Sequence, residues 1–204
     1  MDASAGRDQD IVELEERSWL PRHCRGDRQA FTALLSAYRR PVYSYLMRWG
    51  CSPEVADDVF QDIFLKIHAA AATYQPSRPL QPWIFTIVVN TVRNHLRDQS
   101  VRDAVMHEAD LSTASKGGDP TQTDVAARRL VSWVERAITT LPLVQREVLV
   151  LTTIDGMQHM DAAEILGLPL NTVKTHLRRA RIALTKRLLD SAQSTTAGGV
   201  HEHL

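Results

Sequence analysis

The chain has 204 residues, 44% of them hydrophobic, enough for one domain or two small ones with real cores. Its 24 basic and 24 acidic side chains cancel, which argues against a protein that holds nucleic acid by net charge alone. No segment approaches the ~20 apolar residues of a membrane span, and the N-terminus lacks an apolar signal region, so a cytoplasmic protein without membrane insertion is expected.

Residues 1–8 are polar and are expected to be disordered. Ile11, Leu14 and Trp19 then mark a short helix from Asp10 to about Cys24, interrupted by Gly26 and Asp27, with Asp27 able to cap the helix that follows. Phe31, Leu34, Leu35, Tyr38, Val42, Tyr45 and Leu46 recur at helical spacing, and Pro41 inside that run predicts a kink or an irregular turn. Ser52-Pro53-Glu54 is a helix start, with a cap, a first-turn proline and an acid at the positive end of the dipole. Val55, Val59, Phe60, Ile63, Phe64 and Ile67 give this helix a wide apolar stripe, flanked by Asp57, Asp58, Gln61, Asp62 and Lys66. That polar flank is either an ordinary solvated face or a docking surface for a basic partner.

Tyr74-Gln75-Pro76-Ser77-Arg78-Pro79 is a loop fixed by two prolines. A helix from Pro82 to about Gln99 follows, with Ile84, Ile87, Val88, Val92 and Leu96 facing inward. Trp83, Thr86, Asn90, Arg93, Asn94 and Arg97 occupy its other faces. An aromatic, amides and arginines beside a constrained loop can hold unstacked bases on a surface that tracks the backbone; a plain polar face is the simpler alternative. Residues 100–123 are poor in large apolar side chains and contain Gly117-Gly118 and Pro120. That is a linker longer than the ~15 residues usual inside one domain, so two helical domains are expected, at 9–99 and 124–190, with a disordered tail at 191–204. In the second, Val125, Leu130, Val134 and Ile138 mark one helix, and Val144, Val148, Leu149 and Leu151 the core of the next, opened by Leu141-Pro142.

Residues 162–181, AAEILGLPLNTVKTHLRRAR, read as a helix-turn-helix. Gly167 supplies the left-handed residue that ends the first helix, and Pro169 sits at the mouth of the second. The second helix buries Val173, Leu177, Ala180 and Leu184, leaving Asn171, Thr172, Lys174, Thr175, Arg178, Arg179 and Arg181 on its other faces. A cationic helix with short polar side chains near its N-terminus suits the DNA major groove. Charge is also segregated: residues 1–16 hold six acids against Arg7, and residues 171–190 hold six bases against Asp190. Such a split suggests one surface for a protein and another for nucleic acid. No nucleotide-binding loop, nucleophile motif or HExxH is present, so an enzyme is not expected. Cys24 and Cys51, without CxxC spacing, read as free thiols. His201 and His203 are too few to make a metal site, and neither metal nor cofactor is expected.

With these elements in place, the chain resembles the bacterial RNA polymerase sigma factors of the small, two-domain extracytoplasmic-function (ECF) group. The resembling stretches are AFTALLSAYRRPVYSYL, ADDVFQDIFLKIH and PWIFTIVVNTVRNHLRD in the first domain, and LPLVQREVLVL and AAEILGLPLNTVKTHLRRARIAL in the second. They cover about Asp27–Gln99 and Val125–Leu189. The resemblance implies that Asp57, Asp58, Gln61, Phe64 and Lys66 dock on the clamp helices of the largest subunit of core RNA polymerase. It implies that the Tyr74–Pro79 loop, with Ser77 and Arg78, and the helix bearing Trp83, Asn90, Arg93, Asn94 and Arg97 open the promoter's minus-ten element and capture a flipped base. It implies that Asn171, Thr172, Lys174, Thr175, Arg178 and Arg179 serve the minus-thirty-five element, and that the linker threads toward the polymerase active centre. An anti-sigma factor is a further implied partner.

The chain departs from that pattern at Gln158, where a Ser or Thr cap is usual, at Met160, where an acid is common, and at Asn171, in place of a frequent glycine. A lost cap weakens the helix start by ~1 kcal/mol. Two other readings compete. A LuxR-like regulator would share TVKTHLRR but not the ADDVFQDIFLKIH and PWIFTIVVNTVRNHLRD blocks. A sigma mimic that sequesters an anti-sigma protein would have no need of a basic recognition helix.

Overall fold

In the computed structural model the backbone is described for residues 3–105, 133–134 and 136–197, and side chains for 12–98, 133–134 and 136–191. Every regular element among them is helical, and the chain divides into two units, Met1–Thr113 and Ala114–Leu204.

The first unit is built from α1 (Ala3–Cys24), α2 (Arg28–Arg48), α3 (Pro53–Ala70), a 3-10 turn (Ala71–Thr73) and α4 (Leu80–Val105). Asp27 caps α2 as its sequence position predicts, accepting from the Gln29 and Ala30 amides at 2.9 and 3.2 Å and from Arg22 Nε at 2.9 Å. Ser52 caps α3 through the Val55 amide, with Pro53 in the first turn. α1 packs on α2 and α3 lies against both α2 and α4. The core is filled by Leu20, Leu34, Tyr45, Leu46, Ile63, Ile67, Ile84 and Phe85, all fully buried. His23, Phe31 and His68 tie the ends of α1 and α3 to the start of α2. The two imidazoles meet at 2.8 Å between His23 Nε2 and His68 Nδ1, with the Phe31 ring 4.5 Å from that of His23.

Several expectations are corrected here. α2 continues through Pro41 without an irregular turn. Proline in a helix interior costs about 3 kcal/mol, but Val42 and Leu46 on the same helix are fully buried and each returns ~1.5–3 kcal/mol. α1 begins at Ala3, inside the stretch expected to be disordered, and Leu14 points outward, 65% exposed, while Trp19 and Leu20 carry its buried face. α4 runs on to Val105, six residues past the expected domain end. Ile87 and Leu96 are half-buried rather than interior, as are Phe31, Leu35, Val55 and Phe60.

The second unit contains α5 (Leu143–Leu149), a π turn (Val150–Ile154), α6 (His159–Leu166) and α7 (Leu170–Ala197). Of the helix expected from Val125 to Ile138, residues 133, 134 and 136–139 are described and helical. Ile138 is buried and Val134 36% exposed, while Val125 and Leu130 lie outside the described residues. Arg146 Nη2 donates to the Thr139 and Leu141 carbonyls and so joins the end of that segment to α5. After α5 the Asp155 amide reaches back to the Val150 carbonyl, and the Met157 amide to that of Leu151. The end of α5 and this widened turn bury Glu147, Val148, Leu149, Val150 and Leu151 in succession. α5 and α6 both pack on α7. α7 continues to Ala197, through seven residues expected in the tail; residues 198–204, with His201 and His203, lie outside the described residues. No described helix is long and apolar enough to cross a membrane.

Candidate nucleic-acid interface

The helix-turn-helix of the second unit is set by backbone chemistry. Gly167 takes φ +67°, the left-handed conformation that side-chain-bearing residues disfavour. The Leu168 amide then bonds the Ala163 carbonyl at 2.9 Å and the Gly167 amide that of Glu164 at 3.2 Å, a Schellman closure of α6. The Pro169 carbonyl accepts from Thr172 and Val173 and starts α7. At the other end of α6, Gln158 makes no side-chain cap bond, so the departure noted at this position is real in the geometry. Val173, Leu177 and Ala180 are buried, with Leu184 half-buried at the edge. Asn171, Lys174, Thr175, Arg178 and Arg179 are exposed, and Thr172 is half-buried. At 100° per residue, Lys174 and Arg178 line one side of the outward face, and Thr175 and Arg179 the other. The Thr175 hydroxyl donates to the Asn171 carbonyl at 2.8 Å.

The loop and α4 form a second polar surface in the first unit. Tyr74 is buried; its hydroxyl donates to the Arg78 carbonyl at 2.6 Å and its ring stands edge-on to Trp83, with centroids 5.5 Å apart. Burial pushes its hydroxyl up to about 12. Tyr74 is therefore the anchor of the loop and not a free platform for a base, a correction to its expected role. Gln75, Pro76, Ser77, Arg78 and Pro79 are exposed around that anchor. Along α4, Trp83, Asn90, Asn94 and Arg97 recur at i, i+7, i+11 and i+14, one stripe leading away from the loop. Trp83 and Arg93 are half-buried, and Asn90, Asn94 and Arg97 exposed; Arg97 Nε lies 3.9 Å from Asp98.

On α3 the expected docking residues separate. Asp58 and Gln61 are exposed. Asp57, also exposed, lies beside the Tyr43 phenol, which burial and this carboxylate push up. Lys66 donates to Asp62 at 2.7 Å and to Thr91 of α4 at 3.4 Å, bracing the two helices. Phe64 is buried against Phe60, ring centroids 4.6 Å apart, so it holds α3 in place and cannot reach a partner. Sequence reasoning missed Leu65, which is 67% exposed and shares a face with Asp58, Gln61 and Asp62 at i, i+3, i+4 and i+7. A leucine interrupting a polar helix face was the available signal.

Comparison with known proteins follows this division. The Sigma-70 region 2 model matches residues 34–102, and the Sigma-70, region 4 model residues 132–184. RNA polymerase sigma factor NccH of Alcaligenes xylosoxydans xylosoxydans is 30% identical, over 84% of this chain and 93% of its own length. RNA polymerase sigma factor CnrH of Cupriavidus metallidurans is 31% identical, over 81% and 90%. The solved structure of CnrH in complex with the cytosolic domain of CnrY superimposes with a TM-score of 0.66 at 28% identity, covering 87% of this chain and 98% of that one. The fold is also that of the sigma factor RpoE solved with the anti-sigma factor NepR from Bartonella quintana, TM-score 0.61 at 24% identity, covering 78% and 96%.

Proposed function

The chain belongs to the ECF group of RNA polymerase sigma factors, and from that premise we propose how its surfaces divide the work of starting transcription. As a sigma factor it binds core RNA polymerase and directs it to promoters. In our reading the Asp58, Gln61, Asp62 and Leu65 face of α3, with Asp57 at its edge, docks on the clamp helices of the largest subunit. The loop at residues 75–79 and the Trp83, Asn90, Asn94 and Arg97 stripe receive the melted minus-ten strand, with Arg93 and Arg78 adding cationic edges. α7 enters the major groove of the minus-thirty-five element with Asn171, Lys174, Thr175, Arg178 and Arg179, while half-buried Thr172 supports the turn. The likeness to CnrH, solved with a protein bound, supports a regulatory partner of the anti-sigma kind. The chain acts by binding alone, without covalent chemistry and in the cytoplasm.

The observation that carries this reading is the pairing of a polar α4 stripe, half-buried at Trp83 beside Tyr74 and exposed from Asn90 to Arg97, with an exposed cationic recognition helix in the other unit. Opening DNA by binding alone is energetically feasible. Flipping a base out of the stack costs a few kcal/mol, and stacking on an aromatic returns ~1–3 kcal/mol per base. The test is run-off transcription with purified core polymerase on a promoter library, without an activator. A consensus with two separated elements is expected; uniform transcription of all templates, or none with active core, overturns it.

A further inference from the structure

α1 lies outside the stretch matched by the region 2 model, which begins at residue 34, yet it packs on the Ala71–Thr73 turn from which the loop departs. Its polar side chains are tied to α2 and to one another. The Tyr38 hydroxyl donates to Glu16 Oε2 at 3.0 Å, and burial holds the Glu16 carboxyl above its ordinary range. Arg17 Nη2 is paired with Glu13 at 2.6 Å, while Arg17 Nε is buried with no hydrogen-bond partner among the described residues. Arg17, Glu13 and Glu16 all lie within electrostatic reach of Tyr74. Tyr74 in turn fixes both ends of the loop region, through the Arg78 carbonyl and through the Trp83 ring. α1 therefore packs on the turn that leads into Tyr74, and Tyr74 in turn holds the exposed residues 75–79 through the Arg78 carbonyl.

We propose that Glu13, Glu16 and Arg17 are positioning residues for promoter opening: α1 sets the conformation of the capture loop through Tyr74 without touching DNA. The inference rests on the reading of residues 75–79 as the capture element. A loop held in one conformation does not have to be ordered when the base arrives, so the brace acts on opening and leaves polymerase docking alone. Charge and shape contribute separately. Glu16 acts as an acceptor for the Tyr38 proton, which an amide oxygen also provides. Arg17 acts as a cation paired with Glu13, which a lysine also provides.

The experiment uses holoenzyme carrying Arg17→Ala, Glu16→Ala, Arg17→Lys or Glu16→Gln, beside a variant with residues 75–79 replaced by Gly/Ser. Permanganate reactivity of minus-ten thymines reads opening. Competition for core reads docking, and thermal melting of the free protein reads stability. Both alanine variants are expected to reduce the open fraction ~5-fold, the effect of a contact of ordinary strength, with core competition unchanged. The lysine and glutamine variants are expected to open as wild type does. If the Gly/Ser loop opens DNA normally, the reading of the loop fails and the inference falls with it. If that loop abolishes opening while both alanine variants open normally, the inference alone is overturned. Loss of opening only in proportion to lost core binding or lowered melting temperature also overturns it, because α1 would then act through stability.

Discussion

The Thr175 hydroxyl spends its proton on the Asn171 carbonyl, 2.8 Å away. What it can offer a base is a lone pair, which accepts from an exocyclic amino group, or its methyl, which packs on thymine. Thr175→Val keeps the methyl and removes the oxygen. Promoter selection from a randomised minus-thirty-five element should lose preference at one base pair if the oxygen reads, and retain it if the methyl does. Arg178 and Lys174 share a side of α7 but differ in chemistry. A guanidinium bidentate to guanine discriminates by ~1–3 kcal/mol, whereas an ammonium on phosphate adds affinity with little sequence information. Arg178→Ala is therefore expected to relax preference at one or two upstream positions, and Lys174→Ala to weaken all promoters together and flatten the salt dependence. If Arg178→Ala lowers every promoter equally, the base-reading role is lost. Two carboxylates of the first unit give pH signatures of opposite sign. Arg22 and the α2 amides hold Asp27 below the ordinary aspartate value of 3.8, so its contribution is present above that value and is lost as pH falls through the lower folded one. Burial raises Glu16 above 4.5, so its charged form weighs against the fold at neutral pH and acid relieves it. Asp27→Ala should lower the melting temperature at pH 7 and reduce the acid-induced loss, whereas Glu16→Gln should leave it unchanged or raised at pH 7. A melting series from pH 3 to pH 7 checks both; equal losses for the two variants at neutral pH would contradict the assignment.

Among the elements, α3 carries the face proposed to dock on core polymerase. Leu65 is exposed beside Asp58, Gln61 and Asp62, an apolar centre with a polar, acidic rim, the arrangement of a protein interface. Asp58→Lys should weaken core binding by repulsion, and Leu65→Ser by lost apolar contact, with helicity unchanged in both. A double variant that competes for core as well as wild type would remove this face from docking. In α6, Gly167→Ala forces a Cβ into φ +67°, although no atom lies within 4 Å of it. The loss is conformational alone, about 1 kcal/mol; it should reduce minus-thirty-five recognition and leave core binding by the first unit intact. These elements differ in how far periodicity could find them. Asp27, Ser52, Gly167 and the α7 core were legible because capping, a positive φ and a 3.6-residue repeat are local rules. Pro41 misled because packing on both sides outweighed a missing amide. The π turn was invisible because an i to i+5 bond has no residue signature; it continues the buried run that α5 begins at Glu147 through Val150 and Leu151. Phe64 and Tyr74 were assigned to partners by the resemblance, which carries a role to a position without the direction of its side chain; the packing around Phe60 and Trp83 shows that both face inward.

The whole molecule is a zero-sum polyelectrolyte with an acidic first helix and a basic last one. The bases of α7 from Lys174 to Arg187 number six, too few to hold duplex DNA tightly, and non-specific binding by such a surface falls near 10⁻⁴–10⁻⁶ M at physiological salt. On the proposed division of labour, specific initiation comes from two weak readings made together, one in each unit, with a covalent chain joining them. Tethering turns the second contact into an intramolecular one and raises overall affinity ~10²–10⁴-fold with no new contact. On this proposal the segment that joins the units contributes through its reach. A protease site placed between residues 106 and 131 allows the intact chain to be purified and cut before it meets core polymerase. The uncut protein is expected to transcribe as wild type. The cut protein is expected to lose run-off transcript by ~10²–10⁴-fold, while its first unit still competes for core. Restoring a flexible linker of equal length and unrelated sequence should recover the activity, because reach and not side-chain identity sets the effective concentration. Full transcription from the cut protein would mean that core polymerase alone holds the two units in register. Failure of the unrelated linker would mean instead that side chains of the linker contact the polymerase and contribute binding of their own.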